Sequence, residues 1–274
     1  MKESIEQIRA RVKNAQRNYS SNVIRIENIL KRERGYASRP PINEEAVVLM
    51  SGGLDSTVMV NKIIEDWNVK VFPLFVRRGS KNQEYEEKSF DFFSAFYTKK
   101  FPNNFMKPRK LDYQVPPADL KNDFPKNFAL TVGHPMRNST LQNLAIMYAV
   151  SLSEKSKNGV YTVLSGSVAE DNTEPELGIL TLRTQTLNTC VSLGDWRWNI
   201  TSPLTDPYFV KKPVSKVDLI NYATIKFIPL EETRTCFSAD EKADGTCHAC
   251  VKRMNAFTNS GSADNIKYSN RRRK

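Results

Sequence analysis

The sequence lacks the features of a membrane or secreted protein. No apolar run approaches the roughly 20 residues that a membrane-spanning helix needs, and the N-terminal segment has no apolar signal core. Only four cysteines occur among 274 residues, and the chain contains neither internal repeats nor low-complexity segments. We therefore expect a cytoplasmic protein without membrane contact. Its length suffices for one large α/β domain with additions or for two small domains.

The chain also lacks a balance of charge, because 41 lysines and arginines face 30 acidic residues and give a formal net charge of +11. This excess permits an acidic partner such as ATP, tRNA or DNA. Part of it lies in the C-terminal tail 271–274 and in residues 31–34, where a charge run is more often a solvated face or tail. No RNA-binding aromatic motif accompanies the basic residues, so charge alone does not identify a nucleic-acid substrate.

The most informative stretch joins a short apolar run to a glycine turn and a helix start. Residues 46–50 are typical of a buried strand, and Ser-Gly-Gly-Leu-Asp-Ser follows at 51–56, before apolar residues at helical spacing. Backbone N–H groups at such a helix start point outward, and the helix dipole favours negative charge. Gly52 and Gly53 let the chain approach a phosphate where a Cβ would clash. The stretch predicts an anion site; the alternative is an ordinary strand–turn–helix.

Strands and helices alternate after this turn, which predicts an α/β fold with a Rossmann-like, doubly wound parallel sheet. Ligands of such sheets bind at the carboxyl ends of the strands. We therefore expect the loops at 51–56, 77–80, 166–172 and 202–206 to share one rim. The predicted strands are 46–50, 69–76, 105–111, 160–166 and 200–203, and the predicted helices end near 67 or span 82–97, 139–155, 179–192 and 217–225.

Residues 1–44 are predicted to be an N-terminal extension that serves in docking or in a homodimer. The first residues have helical spacing, Val23–Ile26 has the composition of a short strand, and residues 35–43 have the Gly, Ser and Pro content of a linker. Three further units follow: 45–228 as the main domain, 229–260 as a cysteine-containing segment and 261–274 as a basic tail. Tyr113–Pro135 is a long connection of the kind that often forms a functional lid.

The hexapeptide at 51–56 resembles the PP-loop, Ser-Gly-Gly-x-Asp-Ser, of the N-type ATP pyrophosphatases. It is not the Walker loop, which requires Gly-x-x-x-x-Gly-Lys-Ser/Thr. The resemblance implies a loop that grips the pyrophosphate of ATP and an enzyme that transfers AMP to a substrate oxygen. ATP and Mg²⁺ are therefore the expected cofactors at this loop.

Further blocks resemble the 7-cyano-7-deazaguanine synthase (QueC) family over about residues 46–258. They are His134–Asn138 with the following helix, Gly166–Asp171, Val191–Gly194, Ser202–Leu204 and Leu230–Phe237. The resemblance implies an ATP-dependent ligase that activates a 7-carboxy-7-deazaguanine type of carboxylate as its AMP ester. Ammonia then displaces AMP, and a second activation converts the amide into a nitrile.

The resemblance also implies roles for single residues. Asp55, Ser56 and Arg137 are expected to be catalytic, with Asp55 holding Mg²⁺ or positioning the loop. Arg137 is suited to a phosphate or carboxylate because its planar fork binds two oxygens, and a surface salt bridge is its alternative. Asn138 is either a helix cap or a ligand contact. The residues expected to bind the nucleotide are Ser51, Gly52, Gly53, Leu54, Asp55, Ser56, Arg137, Asn138, Gly166, Glu170 and Asp171.

The chain departs from the family just after its acidic pair. The family carries a Gly-Tyr-Pro-Asp-Cys stretch near the deazapurine, whereas residues 172–178 here read Asn-Thr-Glu-Pro-Glu-Leu-Gly. The acidic pair is retained but that segment is not. The acceptor is therefore open, while the use of ATP is still expected.

Three of the four cysteines lie within fifteen residues, at Cys236, Cys247 and Cys250, which in a cytoplasmic chain favours a metal over disulfides. The family binds Zn²⁺ there with four cysteines, and Asp244 occupies the place of the missing one. We predict a zinc site of Cys236, Asp244, Cys247 and Cys250, with His248 as an alternative fourth ligand and metal-free buried cysteines as the other alternative. Cys190 and His134 are expected to be structural.

Several functions remain open at this point. A diverged QueC-like enzyme of an anti-phage defence or phage modification system would use a protein or nucleic-acid acceptor. A binding module would keep ATP recognition without turnover. Other PP-loop branches, such as tRNA thiolases and amidating synthetases, are less favoured because of the cysteine ending.

Overall fold

The computed structural model of the chain describes residues 3–15, 19–131, 133–154, 156, 158–171 and 175–269, without the side chains of 129 and 130. Within these residues lies a five-stranded sheet, all of whose neighbouring strands are parallel, in the order β3-β2-β1-β4-β5. The strands are β1 (Glu45–Leu49), β2 (Lys70–Arg77), β3 (Arg109–Asp112), β4 (Thr162–Leu164) and β5 (Asn199–Thr201). The predicted doubly wound parallel sheet is confirmed.

Helices connect the strands and cover both faces of the sheet. They are α1 (Ile5–Ala15), α2 (Tyr19–Arg34), α3 (Leu54–Trp67), α4 (Gln83–Lys100), α5 (Lys126–Thr131), α6 (Arg137–Ser151), α7 (Ile179–Leu193), α8 (Lys216–Ile225) and α9 (His248–Ser260). No helix among the described residues combines the length and apolarity needed to cross a bilayer.

The central strand β1 separates two hydrophobic cores. Ala46 and Val48 face a core formed with α3, α4, α8 and α9. Val47 faces the opposite core, to which α2, α6 and α7 contribute. Because successive side chains of a strand point to opposite faces, a strand buried on both sides must be apolar at every position. This explains why residues 46–50 form an unbroken apolar run.

The order of the strands places a topological switch between β1 and β4. The chain runs outward from β1 to β2 and β3, then returns to the other side of β1 for β4 and β5. The connections after β1 and β4 therefore diverge to opposite faces and leave a crevice between them. Residues 51–56 and 165–171 border this crevice.

Several predicted elements differ from the structure. Val23–Ile26 is not a strand but lies within α2, because Ile26 and Leu30 pack as i, i+4 neighbours into the second core. The third strand is shorter than predicted, and Phe105 makes only an isolated bridge to Val71. The long connection 113–135 contains α5. The end of the helix predicted at 139–155 includes residue 155, which lies outside the described residues.

A buried ionic cluster joins α2 to α7 and to the loop after β5. The fully buried Arg183 donates to both carboxylate oxygens of Asp206 at 2.8 and 2.9 Å and to Glu27 at 2.9 Å. Thr201 and Ser38 also donate to Asp206. Burial opposes ionisation of Asp206, yet the Arg183 guanidinium holds the pKa of that carboxyl below its usual value. Residues 1–44 thus supply an acid to the interior of the sheet domain.

Asp206→Asn keeps the shape of the side chain but removes one of the two carboxylate charges that pair with Arg183. We expect the free energy of unfolding, measured with urea, to fall by about 3 kcal/mol because the buried guanidinium loses its bidentate partner. A folded pKa below the unfolded value of about 3.9 stabilises the protein above that pH. Wild-type stability should therefore decline as the pH falls below it, and the variant should decline less.

Asp195→Asn is the matched control, since Asp195 pairs with the exposed Arg197. It should cost less than about 1 kcal/mol. Equal losses in the two variants would contradict the assignment of the buried cluster as a stabilising feature.

Candidate functional site

The turn between β1 and α3 presents backbone donors to the crevice. Gly53 is the N-cap of α3, with φ −74° and ψ 161°, and no side chain caps the helix. The first N–H groups of any α-helix have no intrahelical partner, and within the described residues no side chain caps those of α3. The helix dipole adds positive potential at the same place. The loop thus has the local structure that its sequence predicts for an anion site.

Gly52 is required by a close approach of α4. It has φ +74°, in the left-handed region that favours glycine. A Cβ on Gly52 would lie 2.6 Å from the carbonyl oxygen of Glu86, 2.8 Å from the nitrogen of Phe90 and 2.9 Å from Cβ of Ser89. The loop therefore packs directly on the backbone of α4, which fixes its position relative to the sheet.

The two serine hydroxyls of the loop lie side by side. Ser51 Oγ and Ser56 Oγ are 3.2 Å apart, and Ser56 Oγ also accepts the N–H of Ser51. Ser51 Oγ accepts the N–H of Gly53 at 3.3 Å. These bonds close the turn on itself and hold both hydroxyls at the crevice. The resulting shape is a shallow cradle of hydroxyl and backbone donors.

The loop after β4 forms the opposite wall. A Cβ on Gly166 would lie 2.9 Å from both Cα and N of Ser56, so only glycine permits this approach. Between the two loops lies a cleft of about 190 Å³. Its lining consists of loop, α6 and strand-end residues: Leu49, Ser51, Gly53, Asp55, Ser56, Asn138, Leu141, Gln142, Ser165, Gly166, Ser167, Asp171 and Leu177.

Four polar side-chain atoms of the cleft are buried without a hydrogen-bond partner among the described residues. They are Oδ1 of Asp55, Oε1 of Gln142, Oγ of Ser165 and Oγ of Ser167. Gln142 and Ser167 are only 2% and 3% exposed. An unsatisfied buried polar atom costs about 1–3 kcal/mol, so a cluster of four is expected where a polar ligand completes the bonds.

Lys216 is a residue of this site that the sequence did not indicate, as are Gln142, Ser165 and Ser167 of the lining. Its ammonium forms an ion pair with Oδ2 of Asp55, and Lys216 is 8% exposed. Burial raises the pKa of Asp55, and Lys216 opposes that rise, while Asp171 and Glu170 add to it. Ser215 and Asp218 form a capping box that places Lys216 at the first position of α8. The capping pattern can be found in the sequence, but nothing there links Lys216 to a loop 161 positions earlier.

The two residues of the predicted acidic pair, Glu170 and Asp171, make different contacts. Glu170 accepts the backbone N–H of Lys216 at 3.0 Å and so holds the start of α8. Asp171 lines the cleft, accepts the N–H of Val168 and lies 3.6 Å from the ammonium of Lys252. Both carboxylates therefore stand near Asp55, and Asp171 is the one exposed to a ligand of the cleft.

Asn138 is not the N-cap of α6. The helix begins at Arg137, and its N-cap is Met136 with φ 58°. Asn138 instead lines the cleft, and its Nδ2 donates to Oε2 of Glu176 at 3.1 Å. Burial raises the pKa of Glu176, which the N–H of Asn138 and the charge of Arg137 oppose.

Arg137 lies beside the cleft rather than in its lining. Its Nε donates to Oδ1 of Asn138 at 3.4 Å. His134 packs against Phe124 with ring centroids 6.0 Å apart, and burial lowers its pKa. Residues 172–174, which belong to the segment that departs from the family, lie outside the described residues.

The predicted rim is formed in part. The loops at 51–56 and 166–171 border the cleft, and residue 172 falls outside the described residues. The 202–206 loop supports the rim from behind, because Ser202 Oγ donates to the carbonyl of Ser167. The 77–80 loop is not part of the lining; Arg78 turns toward Glu86 of α4 at 3.3 Å. The cleft lies between the loops after β1 and β4, whereas the 77–80 loop follows β2, on the other side of β1 from β4.

The second site gathers the predicted cysteines around one point. Ligand atoms of Cys236, Asp244, Cys247 and Cys250 all lie within 4.8 Å of one another. His248 begins α9, is exposed and is not a member of this group. Cys190 is buried in α7, where its thiol contacts the carbonyl of Trp198. The prediction of Asp244 over His248 is therefore supported by placement, and Cys190 is a core residue as expected.

The donor set of this cysteine cluster fits a tetrahedral cation. Ligands of zinc at 2.3 Å stand about 3.8 Å apart in ideal geometry, and three sulfurs with one carboxylate are a donor set that zinc accepts. Burial opposes ionisation of Cys236, but hydrogen bonds from Ser238 and from the N–H of Asp244 lower its pKa. Burial raises the pKa of Cys250. Asp244 also accepts the N–H groups of Thr246 and Cys247 at 2.7 and 2.9 Å, which orients its carboxylate.

Both candidate sites lie within the part of the chain that matches a known protein family. The family model described as queuosine biosynthesis protein QueC matches residues 45–261. A 7-cyano-7-deazaguanine synthase of Thermoplasma volcanium is 27% identical over 246 residues, which cover 82% of this chain and 91% of the relative. The protein of the same name from Acetivibrio thermocellus is 28% identical over 233 residues, or 82% and 98% of the two chains.

Among solved structures, the U34-tRNA thiolase NcsA from Methanococcus maripaludis with its [4Fe-4S] cluster is similar with a TM-score of 0.39 and 13% identity. The match covers 88% of this chain and 75% of the thiolase.

The choice between Asp244 and His248 as the fourth ligand can be measured directly. We expect Asp244→Ala to weaken Zn²⁺ binding by at least about tenfold, measured by competition with a chromophoric chelator. His248→Ala should bind Zn²⁺ as the wild type does, because its side chain lies outside the cluster. Asp244→Cys should restore or tighten binding by completing a four-sulfur set. Loss of binding in His248→Ala with full binding in Asp244→Ala would overturn the assignment.

Proposed function

The chain belongs to the QueC family, and from this membership and the geometry of the loop we propose that it is an ATP-dependent ligase that forms a C–N bond. It activates a carboxylate of the 7-carboxy-7-deazaguanine type as the AMP ester. Ammonia or an amine then attacks, and the products are an amide or nitrile, AMP and pyrophosphate. The observation that carries the proposal is the cluster of unsatisfied buried polar atoms around a loop of backbone donors.

The proposed reaction transfers AMP to the carboxylate before the C–N bond forms. A carboxylate oxygen attacks the α-phosphorus of ATP, the bond from that phosphorus to the bridging oxygen breaks, and pyrophosphate leaves with the electron pair. Ammonia attacks the activated carbonyl carbon and loses a proton, and AMP departs with the former carboxylate oxygen. For a nitrile, the amide oxygen attacks the α-phosphorus of a second ATP and pyrophosphate leaves. That oxygen then departs with AMP as the nitrogen loses two protons.

We assign the loop to the phosphates of ATP. The N–H groups at the start of α3 and the hydroxyls of Ser51 and Ser56 would donate to phosphoryl oxygens, while Gly52, Gly53 and Leu54 give the backbone its path. Such fixed donors stabilise the charge that builds on departing pyrophosphate without reorganising. Gly166 keeps the facing wall close enough to exclude water from the reacting atoms.

Asp55 is assigned to Mg²⁺, and the residues present fit this ion. Its Oδ1 is buried and has no hydrogen-bond partner in the described part of the chain, and Asp171 is a second carboxylate of the cleft. Mg²⁺ prefers oxygen ligands of this kind. When bound, the ion supplies Lewis-acid stabilisation of phosphoryl charge. Burial raises the pKa of Asp55, Lys216 opposes that rise, and its ammonium adds a positive charge close to the phosphates.

The acceptor side is assigned to Arg137 and Asn138 together with Glu170. Arg137 offers a planar pair of donors for a carboxylate or phosphate, and Asn138 links it to the cleft. Glu170 orients the wall by holding α8. We further propose that residues 45–228 are the ATP-binding domain, 229–260 the zinc-binding segment and 261–274 a basic tail.

A different acceptor is the second candidate, and one contact favours it. Tyr19, from outside the residues that the family model matches, accepts the N–H of Leu180 at 3.0 Å. A Cβ on Gly178 would lie 2.7 Å from that hydroxyl. Helix α2 therefore shapes the end of the segment 172–178, where the sequence departs from the family. An acceptor other than a deazaguanine would be accommodated at this wall.

Purified protein with Mg-ATP, 7-carboxy-7-deazaguanine and ammonium should release AMP and pyrophosphate. We expect Asp55→Asn and Lys216→Met each to slow this release at least about 100-fold, as for loss of one preorganised charge at a developing anion. Lys62→Met is the matched control, since it removes a lysine ion pair to Asp66 on the same helix away from the cleft.

Absence of both AMP and pyrophosphate with the wild type would reject this substrate. Mass spectrometry of other carboxylates after incubation with ATP and ammonium would then test the second candidate. A wild type that binds no magnesium nucleotide would reject both.

A further inference from the structure

The carbonyl oxygen of Gly52 lies where three parts of the molecule meet. It accepts the hydroxyl of Ser89 on α4 at 2.7 Å and the backbone N–H of Arg234 at 2.9 Å. Ser89 is 4% exposed, so these bonds are shielded from water. Residues 51–56, named the phosphate loop, are thus hydrogen-bonded through the carbonyl of Gly52 to α4 and to the segment that precedes the cysteine cluster.

That chain, residues 230–236, is named the brace segment. Ser89 Oγ also lies 2.6 Å from the carbonyl of Glu232, so its single proton is shared between the loop and the brace segment. Asn82, at the start of α4, donates from Nδ2 to the carbonyl of Cys236 at 2.9 Å. Helix α4 therefore holds the brace segment at two points, one beside the phosphate loop and one at the first cysteine of the cluster.

The other side of the brace segment is held by α9. Arg253, which is 1% exposed, donates to the hydroxyl of Thr233 at 2.6 Å and to the carbonyl of Leu230 at 2.9 Å. An ion pair to Asp264 at 3.0 Å fixes its guanidinium. Because α9 also carries Cys250, a cation in the cluster would lock α9 and Cys236 together. The brace segment would then be held in place both by α4 and by α9.

We propose that zinc in the cluster of Cys236, Asp244, Cys247 and Cys250 and magnesium nucleotide at the phosphate loop bind cooperatively, with Ser89 as the positioning residue that transmits the coupling. Only Thr235 separates Cys236 from Arg234, whose N–H donates to the carbonyl of Gly52. Zinc fixes Cys236, the brace segment fixes the Gly52 carbonyl, and the loop then presents its donors in the binding geometry. The inference rests on the proposed use of ATP.

The coupling must act in both directions, because a free-energy coupling between two ligands is reciprocal. Zinc should raise the affinity for nucleotide by roughly five- to 150-fold. Nucleotide should raise the equilibrium affinity for zinc by the same factor. A cluster that serves only to fold residues 236–260 would show no dependence on nucleotide while that segment stays folded.

The experiment uses the full chain loaded with Zn²⁺ and a nucleotide that cannot react, the α,β-methylene analogue of ATP with Mg²⁺. The zinc affinity is measured at equilibrium by competition with a chelator, with and without saturating analogue. The wild type should hold zinc at least about fivefold more tightly when the analogue is bound. This measurement starts from the zinc-loaded protein and needs no turnover.

Ser89→Ala tests the path, and Ser94→Ala is the matched control. Ser94 lies on the same helix, is 8% exposed, and its hydroxyl has no hydrogen-bond partner among the described residues. In Ser89→Ala the nucleotide should bind more weakly and should no longer change the zinc affinity. In Ser94→Ala both quantities should equal those of the wild type.

The outcomes separate this inference from the proposed function. A wild type that binds the analogue with unchanged zinc affinity overturns the coupling and leaves the ligase proposal standing. Failure to bind zinc at all, or full coupling in Ser89→Ala, also overturns it. Failure to bind the analogue would instead remove the proposed function on which the inference rests.

Discussion

The contact of Gly52 with the backbone of α4 is the constraint on which the rest of the site depends. The absence of a side chain lets the loop lie within hydrogen-bond reach of Ser89 and of the brace segment. From this fixed point the loop continues into α3, whose first N–H groups face the crevice. The position of the loop is therefore set by packing of main chain on main chain, which is stiffer than packing through long side chains.

The cleft of the folded protein contains more acidic than basic side chains. Asp55, Asp171 and Glu170 stand near one another, and Lys216 and Lys252 offset only part of their charge. The unsatisfied oxygens of Gln142, Ser165 and Ser167 face the same space. Elsewhere in the described chain, a buried charge such as Arg183 has complete partners. This contrast distinguishes a site prepared for a ligand from an ionic cluster that serves the fold.

Most of the fold and the local structure of the loop at 51–56 could be predicted from local patterns in the sequence. The unbroken apolar run at 46–50 predicts a strand buried on both faces, and the hexapeptide that follows predicts the turn and helix. Cysteine spacing likewise predicts the grouping of Cys236, Cys247 and Cys250, and the resemblance to the family adds Asp244. In contrast, Lys216, Ser89 and Arg234 meet the loop only through contacts between distant parts of the chain. Local spacing cannot reveal such contacts, and Val23–Ile26 shows the reverse case, in which tertiary packing overrides a strand-like composition.

The N-terminal helices enter the molecule more deeply than their position in the chain would indicate. Glu27 gives Arg183 its second carboxylate, and Tyr208 also reaches that glutamate. Grafting residues 45–261 onto a foreign N-terminus, or trimming the chain to the span that the family model matches, would remove one of the two carboxylates that pair with the buried Arg183. Any such redesign must supply another anion at that position, because replacing Arg183 by an uncharged residue would leave the buried Asp206 without its partner.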